Sequence, residues 1–193
     1  MPRWSPRHAA ASRRARRRNA ASYARVVHDL IERHRRACAG FSRVTVGASD
    51  DRWDRPTPCT DWDARALVEH VIGFHEVLLL RPMGVRAHRP RTGPAARWRA
   101  TSDALFGAVT EPVAVLRALA TDVLVHTWDL ARAVGIEPDL DEAMCREAVA
   151  ALRDRDLPRD DGMFAPAVPV ADDADPVTVL IACYGRDPGW RAS

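Results

Sequence analysis

Apolar side chains recur every three or four residues along most of this chain, and that period leaves few folds open to it. Val115, Leu116, Leu119, Val123, Val125, Leu130 and Val134 mark one such run. It predicts a long helix over 110–134, opened by Thr110-Glu-Pro112 and stopped by Gly135 with Pro138 beyond it. Proline is tolerated near a helix start because the first amides of a helix have no carbonyl to reach. Tyr23, Val26, Val27, Leu30, Ile31, His34, Cys38 and Phe41 give an earlier amphipathic helix over 20–41.

Leu67, Val71, Phe74 and Leu78 predict a second helix over 61–80, with Thr60 as its N-cap and Asp61 and Asp63 placing negative charge in the first turn. A stretch rich in Arg, Pro and Gly over 81–94 reads as an exposed crossover. A short helix follows over 96–107, packing through Trp98, Leu105 and Phe106. Asp139 or Asp141 caps a further helix carrying Ala143, Met144, Ala148, Val149 and Leu152. Prolines 166 and 169 forbid helix and leave 164–170 extended, and Asp175-Pro176 starts a last short helix that runs through Tyr184 to Gly185. The fold expected is all-α. Four long helices, with the long connection between the second and third, make a four-helix bundle in which those two run parallel.

Composition limits what such a bundle can be. With 193 residues, 47% of them hydrophobic, the chain can bury one substantial core. The strongest apolar stretch, 71–80, is interrupted by His75 and Glu76 and is too short to span a bilayer, so no membrane role is expected. All 29 basic residues are Arg; eight of them fall in residues 1–25, which hold no acid, and the remainder carries 21 Arg against 26 acidic residues. Residues 1–21 therefore read as a disordered Arg-rich leader, residues 22–157 as the bundle, and residues 158–193 as an extension packing on it. No apolar segment follows the leader's charges, as a secretory signal would require, and the expected location is the cytoplasm. Cys38, Cys59, Cys145 and Cys183 form no Cys-x-x-Cys unit. Cys38 and Cys145 fall at apolar helix positions and read as reduced core residues, whereas Cys59 lies in a loop.

The chemistry concentrates in the long helix. Asp122 and His126 stand one turn apart on one face, as two metal ligands donated by one helix would. Such a spacing also arises by chance as a hydrogen-bonded pair. His70 strengthens the metal reading, because an unpaired imidazole among apolar residues of the second helix would be costly to bury. Three ligands from two helices leave coordination positions open, as in a reactive site. Two nitrogens and one carboxylate suit a divalent ion, zinc first, with nickel, iron or cobalt also fitting. Such an ion can convert a bound thiol to the more nucleophilic thiolate at neutral pH. Asp129 shares the face of His126 and either orients its imidazole or pairs with an Arg. Trp128 reads as packing, His75 as pointing away from His70, and His28 and His34 as surface or core-edge residues.

Three blocks carry a family resemblance. Pro56-Thr-Pro-Cys-Thr-Asp-Trp-Asp-Ala-Arg-Ala-Leu-Val-Glu-His70-Val, Asp122-Val-Leu-Val-His126-Thr-Trp-Asp-Leu-Ala-Arg-Ala, and Phe164-Ala-Pro-Ala-Val-Pro-Val with Gly185-Arg-Asp-Pro-Gly-Trp190 occur in order. Together they resemble the DinB-like metal-binding proteins related to mycothiol-dependent maleylpyruvate isomerase, over residues 28–191. The resemblance implies a DinB-like four-helix bundle with a divalent metal, usually zinc, at one end, held by His70, Asp122 and His126. It also implies a low-molecular-weight thiol such as mycothiol as cosubstrate and an electrophile as substrate, in an isomerase or S-transferase reaction. Two departures stand out: Asp122 follows one branch of the family where the isomerase branch has Glu, and the connection over 106–113 is short. The competing expectation is a non-catalytic metal-binding or regulatory bundle whose Arg-rich arm contacts nucleic acid. On the leading one, nucleic acid is not a partner and the protein is a monomer or homodimer.

Overall fold

The computed structural model describes residues 6–110, 115–153 and 165–192. Its architecture is all-α, and the described residues form six helices in the order α1 (Pro6–Gly47), α2 (Ala64–His75), α3 (Pro94–Ala108), α4 (Leu116–Val134), α5 (Glu142–Arg153) and α6 (Pro176–Cys183). A 3-10 turn, Asp50–Arg52, precedes α2, and a π turn, Glu76–Leu80, continues it. Among the described residues no β-strand forms; one isolated bridge joins Pro56 to Asp63. No helix among them is long and apolar enough to cross a membrane.

α1 runs past both ends of its apolar period. Residues 6–21, expected to be a disordered leader, continue the helix, and the physical reason is composition: Ala and Arg are both strong helix formers. Its buried face comes from His34, Ala37, Cys38, Phe41 and Val44, the three- and four-residue steps that the sequence displays. α1 packs chiefly on α4 and also on α3, α2 packs on α4 and α3, and α5 pairs with α6. Arg33 with Glu147, Arg36 with Asp141 and Arg43 with Asp139 tie α1 to α5 and the segment before it. These pairs are half-exposed, so each contributes about 0–1 kcal/mol.

The start of α2 differs from expectation. Asp63, not Thr60, is the cap: its carboxylate accepts from the Ala66 amide at 2.7 Å. The preceding turn is tied by Thr57, whose hydroxyl lies 2.8 Å from the Trp62 carbonyl and 3.0 Å from that of Cys59. That turn fixes where Cys59 and Trp62 point. At the other end of α2, the π turn buries both Leu79 and Leu80 in a second apolar cluster with Leu105, Val109, Leu116 and Leu119. Glu76, largely buried, is neutralised by Arg89.

The crossover over 81–94 is mostly exposed, as its composition suggests. α3 starts at Pro94 and buries Trp98, whose indole donates to the Ser42 hydroxyl at 2.8 Å and packs edge-on against Phe41. The expected opening of α4 at Thr110-Glu-Pro112 lies partly outside the described residues, and so does Phe164. α4 ends at Gly135, whose φ of +77° is the left-handed turn that closes a helix; the Ile136 amide then reaches back to the Ala131 carbonyl. Of the two candidate caps for α5, Asp141 serves, accepting from the Met144 amide at 3.0 Å. Asp175 caps α6 through the Val177 and Thr178 amides, as expected.

Candidate metal centre

Every residue of α4 from Val123 to Ala131 is buried, so each polar group in that stretch needs a partner. Asp122 and His126 find theirs together, against His70 of α2. His126 Nε2 lies 3.4 Å from Asp122 Oδ1, and His70 Nε2 lies 4.0 Å from the same oxygen. One donor atom from each of the three residues lies within 4.8 Å of the others, a spacing that one ion could bridge. The rings of His70 and His126 stand nearly perpendicular, 5.0 Å between centroids.

The cluster is closed on one side and open on the other. The side chain of His126 is 6% exposed, whereas those of His70 and Asp122 are 20% and 24% exposed. Asp122 Oδ2 is buried and has no hydrogen-bond partner. An acceptor left that way costs about 1–3 kcal/mol, more when it is charged. A cation held by these side chains would satisfy it, so the residues fit a metal. Two imidazoles and a carboxylate are also a donor set that suits zinc, iron or nickel.

Behind His126 stands a buried network. His126 Nδ1 donates to Asp129 Oδ2 at 3.0 Å. Arg186, just after α6, grips the same carboxylate through Nη2 at 2.9 Å and Nε at 3.3 Å. Asp129 thus fills both roles that its spacing allowed, orienting the imidazole and pairing with an Arg. The Cys59 thiol also reaches Asp129 Oδ2, at 3.3 Å, and Arg186 Nη2 lies 3.1 Å from its sulfur.

Burial opposes charge on both acids, yet the carboxyl of Asp122 is held below the usual range by His126 and His70. Asp129 is likewise held low by His126 and Arg186. Burial also works against a charged His126, but Asp122 on one side and Asp129 on the other raise it well above the ordinary imidazole value. Two acids therefore share one imidazole, and a metal taking Nε2 would displace its proton.

Trp62 roofs the cluster, its ring 4.3 Å from that of His70 and 5.8 Å from that of His126, and Phe74 packs on His70 at 4.4 Å. Sequence reasoning missed Trp62, Cys59 and Arg186 as parts of this site. Their signal in the sequence is confined to the blocks over 56–71 and 185–190. Trp128 is core, as expected, and His28 is exposed. His34 is not a surface or core-edge residue: it is buried against His75, because Cys38 and His75 offer it polar company inside the core.

Two uncharacterized proteins of Mycobacterium tuberculosis, from strains CDC 1551 / Oshkosh and ATCC 25618 / H37Rv, resemble the chain along most of its length. Each is 30% identical over 178 residues, covering 82% of this chain and 98% of the relative. No solved structure matches it. The sequence profile of the mycothiol maleylpyruvate isomerase N-terminal domain matches residues 34–131, a span that contains His70, Asp122, His126 and Asp129. With half of its length under that profile, this chain belongs to the mycothiol maleylpyruvate isomerase N-terminal domain family.

Proposed function

We propose that His70, Asp122 and His126 hold one divalent ion, zinc first with nickel or iron as alternatives, and that the protein uses it in a thiol-dependent isomerase or S-transferase reaction. The orphaned, buried Oδ2 of Asp122, whose other oxygen faces two imidazoles, carries this reading. A bound ion would supply Lewis acidity, lowering the pKa of a coordinated low-molecular-weight thiol of the mycothiol type so that its thiolate prevails. The chain's own residues do the rest. Asp129, fixed by Arg186, keeps His126 Nδ1 protonated and turns Nε2 toward Asp122. The exposed edges of His70 and Asp122 leave a side from which thiol and electrophile can approach, under Trp62. No protein cysteine is needed as nucleophile.

On this reading α1, α2, α4 and α5 are the four helices of a DinB-like bundle, with α3 in the crossover and residues 165–192 packed against it. Its location is the cytoplasm, where Cys38 and Cys145 stay reduced. Protein purified without a polyhistidine tag is expected to carry close to one divalent ion per chain, and His126→Ala to lose it. Metal-free wild type prepared with zinc and nickel available would overturn the metal reading. Activity is tested separately: metal-loaded protein should turn over an electrophile such as maleylpyruvate or an epoxide only with thiol present, and inertness across such a panel would remove the enzymatic reading alone.

A further inference from the structure

A second three-donor cluster lies inside the core, on another side of α2. His34 and Cys38 stand one turn apart on α1, and His75 closes the last turn of α2 against them. The two imidazole Nε2 atoms are 2.9 Å apart, and Cys38 Sγ lies 3.6 Å from the first and 4.0 Å from the second. All three residues are at most 1% exposed. His75 Nδ1 sits 2.7 Å from the Val71 carbonyl and so must carry a proton, which leaves a lone pair on its Nε2. Trp98 packs edge-on to His75 and Phe41 lies beyond, so the surroundings are apolar.

We propose that His34, Cys38 and His75 form a trigonal site for a soft monovalent ion, copper(I). Bonds of about 2.0 Å to nitrogen and 2.3 Å to sulfur, spread over a plane, place nitrogens about 3.5 Å apart and sulfur about 3.7 Å from each. The sulfur–nitrogen separations already straddle that value. Only the two imidazoles must part, by roughly half an ångström. Thiolate and imidazole are the donors that favour copper(I), and three of them complete its coordination without water.

Charge decides between metals. On binding, the Cys38 thiol gives its proton to solvent and a sulfur–metal bond forms; His34 moves its ring proton from Nε2 to Nδ1, with no net change. A monovalent ion and one thiolate leave the cluster neutral, whereas a divalent ion leaves a net positive charge in an apolar core. The neutral state of the unbound cluster agrees: burial holds His34 at about 3, helped by His75, and keeps the Cys38 thiol protonated. No oxidant or reductant takes part, since copper enters and stays as copper(I).

The full chain, loaded with one equivalent of zinc, would be titrated anaerobically with copper(I) against a chromophoric bicinchoninate competitor, and the product examined by X-ray absorption at the copper edge. Two nitrogen neighbours and one sulfur are expected, retained in Cys59→Ala and lost in Cys38→Ala. A nitrogen- and oxygen-only sphere in wild type, or sulfur lost with Cys59→Ala instead, places copper at the other cluster and overturns the proposal. If circular dichroism shows Cys38→Ala unfolded, His34→Gln carries the test: copper(I) affinity should fall at least about tenfold, and an unchanged affinity overturns it. Neither result depends on whether the His70 cluster is catalytic.

Discussion

α2 carries two histidines five residues apart, and their surroundings have almost nothing in common. His70 meets Asp122 and His126 of α4 in a charged cluster that opens to solvent on one side and is backed by Asp129 and Arg186. His75 meets His34 and Cys38 of α1 in a neutral cluster shut away from water. Both use the same device, one residue from α2 and two from a neighbour at four-residue spacing. The difference is the company: carboxylates raise His126, while burial lowers His34 and His75. One helix can thus present a hard, ionic donor set and a soft, neutral one on different faces.

The comparison breaks most visibly at Asp129. Asp129→Ala leaves Arg186 and His126 buried without their shared counter-charge and is expected to destabilise the fold by about 3–5 kcal/mol in urea unfolding. A loss under about 1 kcal/mol would mean that the network contributes little. The neutral cluster should answer differently. His34→Leu strands the hydrogen-bond partner on His75 and is expected to cost about 1–3 kcal/mol, whereas the double change His34→Leu with His75→Leu should come close to neutral, because both partners are removed together. A double-mutant cycle reads this directly, and additive losses would contradict it.

Asp129→Asn sharpens the contrast without removing volume. It should weaken divalent-metal binding about 10–100-fold by competitive chelator titration while leaving the three proposed ligands in place. The smallest effect is expected at the shared helix: Asp63→Ala removes the cap of α2 and should cost about 1 kcal/mol in thermal or urea unfolding. Because α2 supplies both His70 and His75, that variant should loosen the two clusters together, and amide exchange slowed at one but quickened at the other would show that they are mechanically independent.

Much of this was readable from spacing. The four-residue step from Asp122 to His126 needs only a helix to become a shared face, and Gly135, Asp141 and Asp175 end or start helices through chemistry local to a few residues. What escaped came from distance in sequence. Trp62 is aimed by a turn that Thr57 ties, and Arg186 meets Cys59 across 127 positions, which no period encodes. The N-cap moved from Thr60 to Asp63 because Thr60 sits within the tied turn and α2 begins only at Ala64. His34 and Cys38 display the same four-residue step as Asp122 and His126, but Cys38 reads as a core thiol and His34 as a surface or core-edge residue, and only the arrival of His75 distinguishes them.

Gly185 turns the chain with a φ of +78°, and a side chain there would collide with Ala165. The next residue is Arg186, the cation on which Asp129 depends. Arg186 is also the last of the site's residues to be made: the ribosome adds it more than fifty residues after Asp129, several seconds later at about 5–20 residues per second. Closing the centre therefore waits for a residue 57 positions further along the chain, and a chain that stops short of Arg186 would leave Asp129 with no guanidinium to answer it.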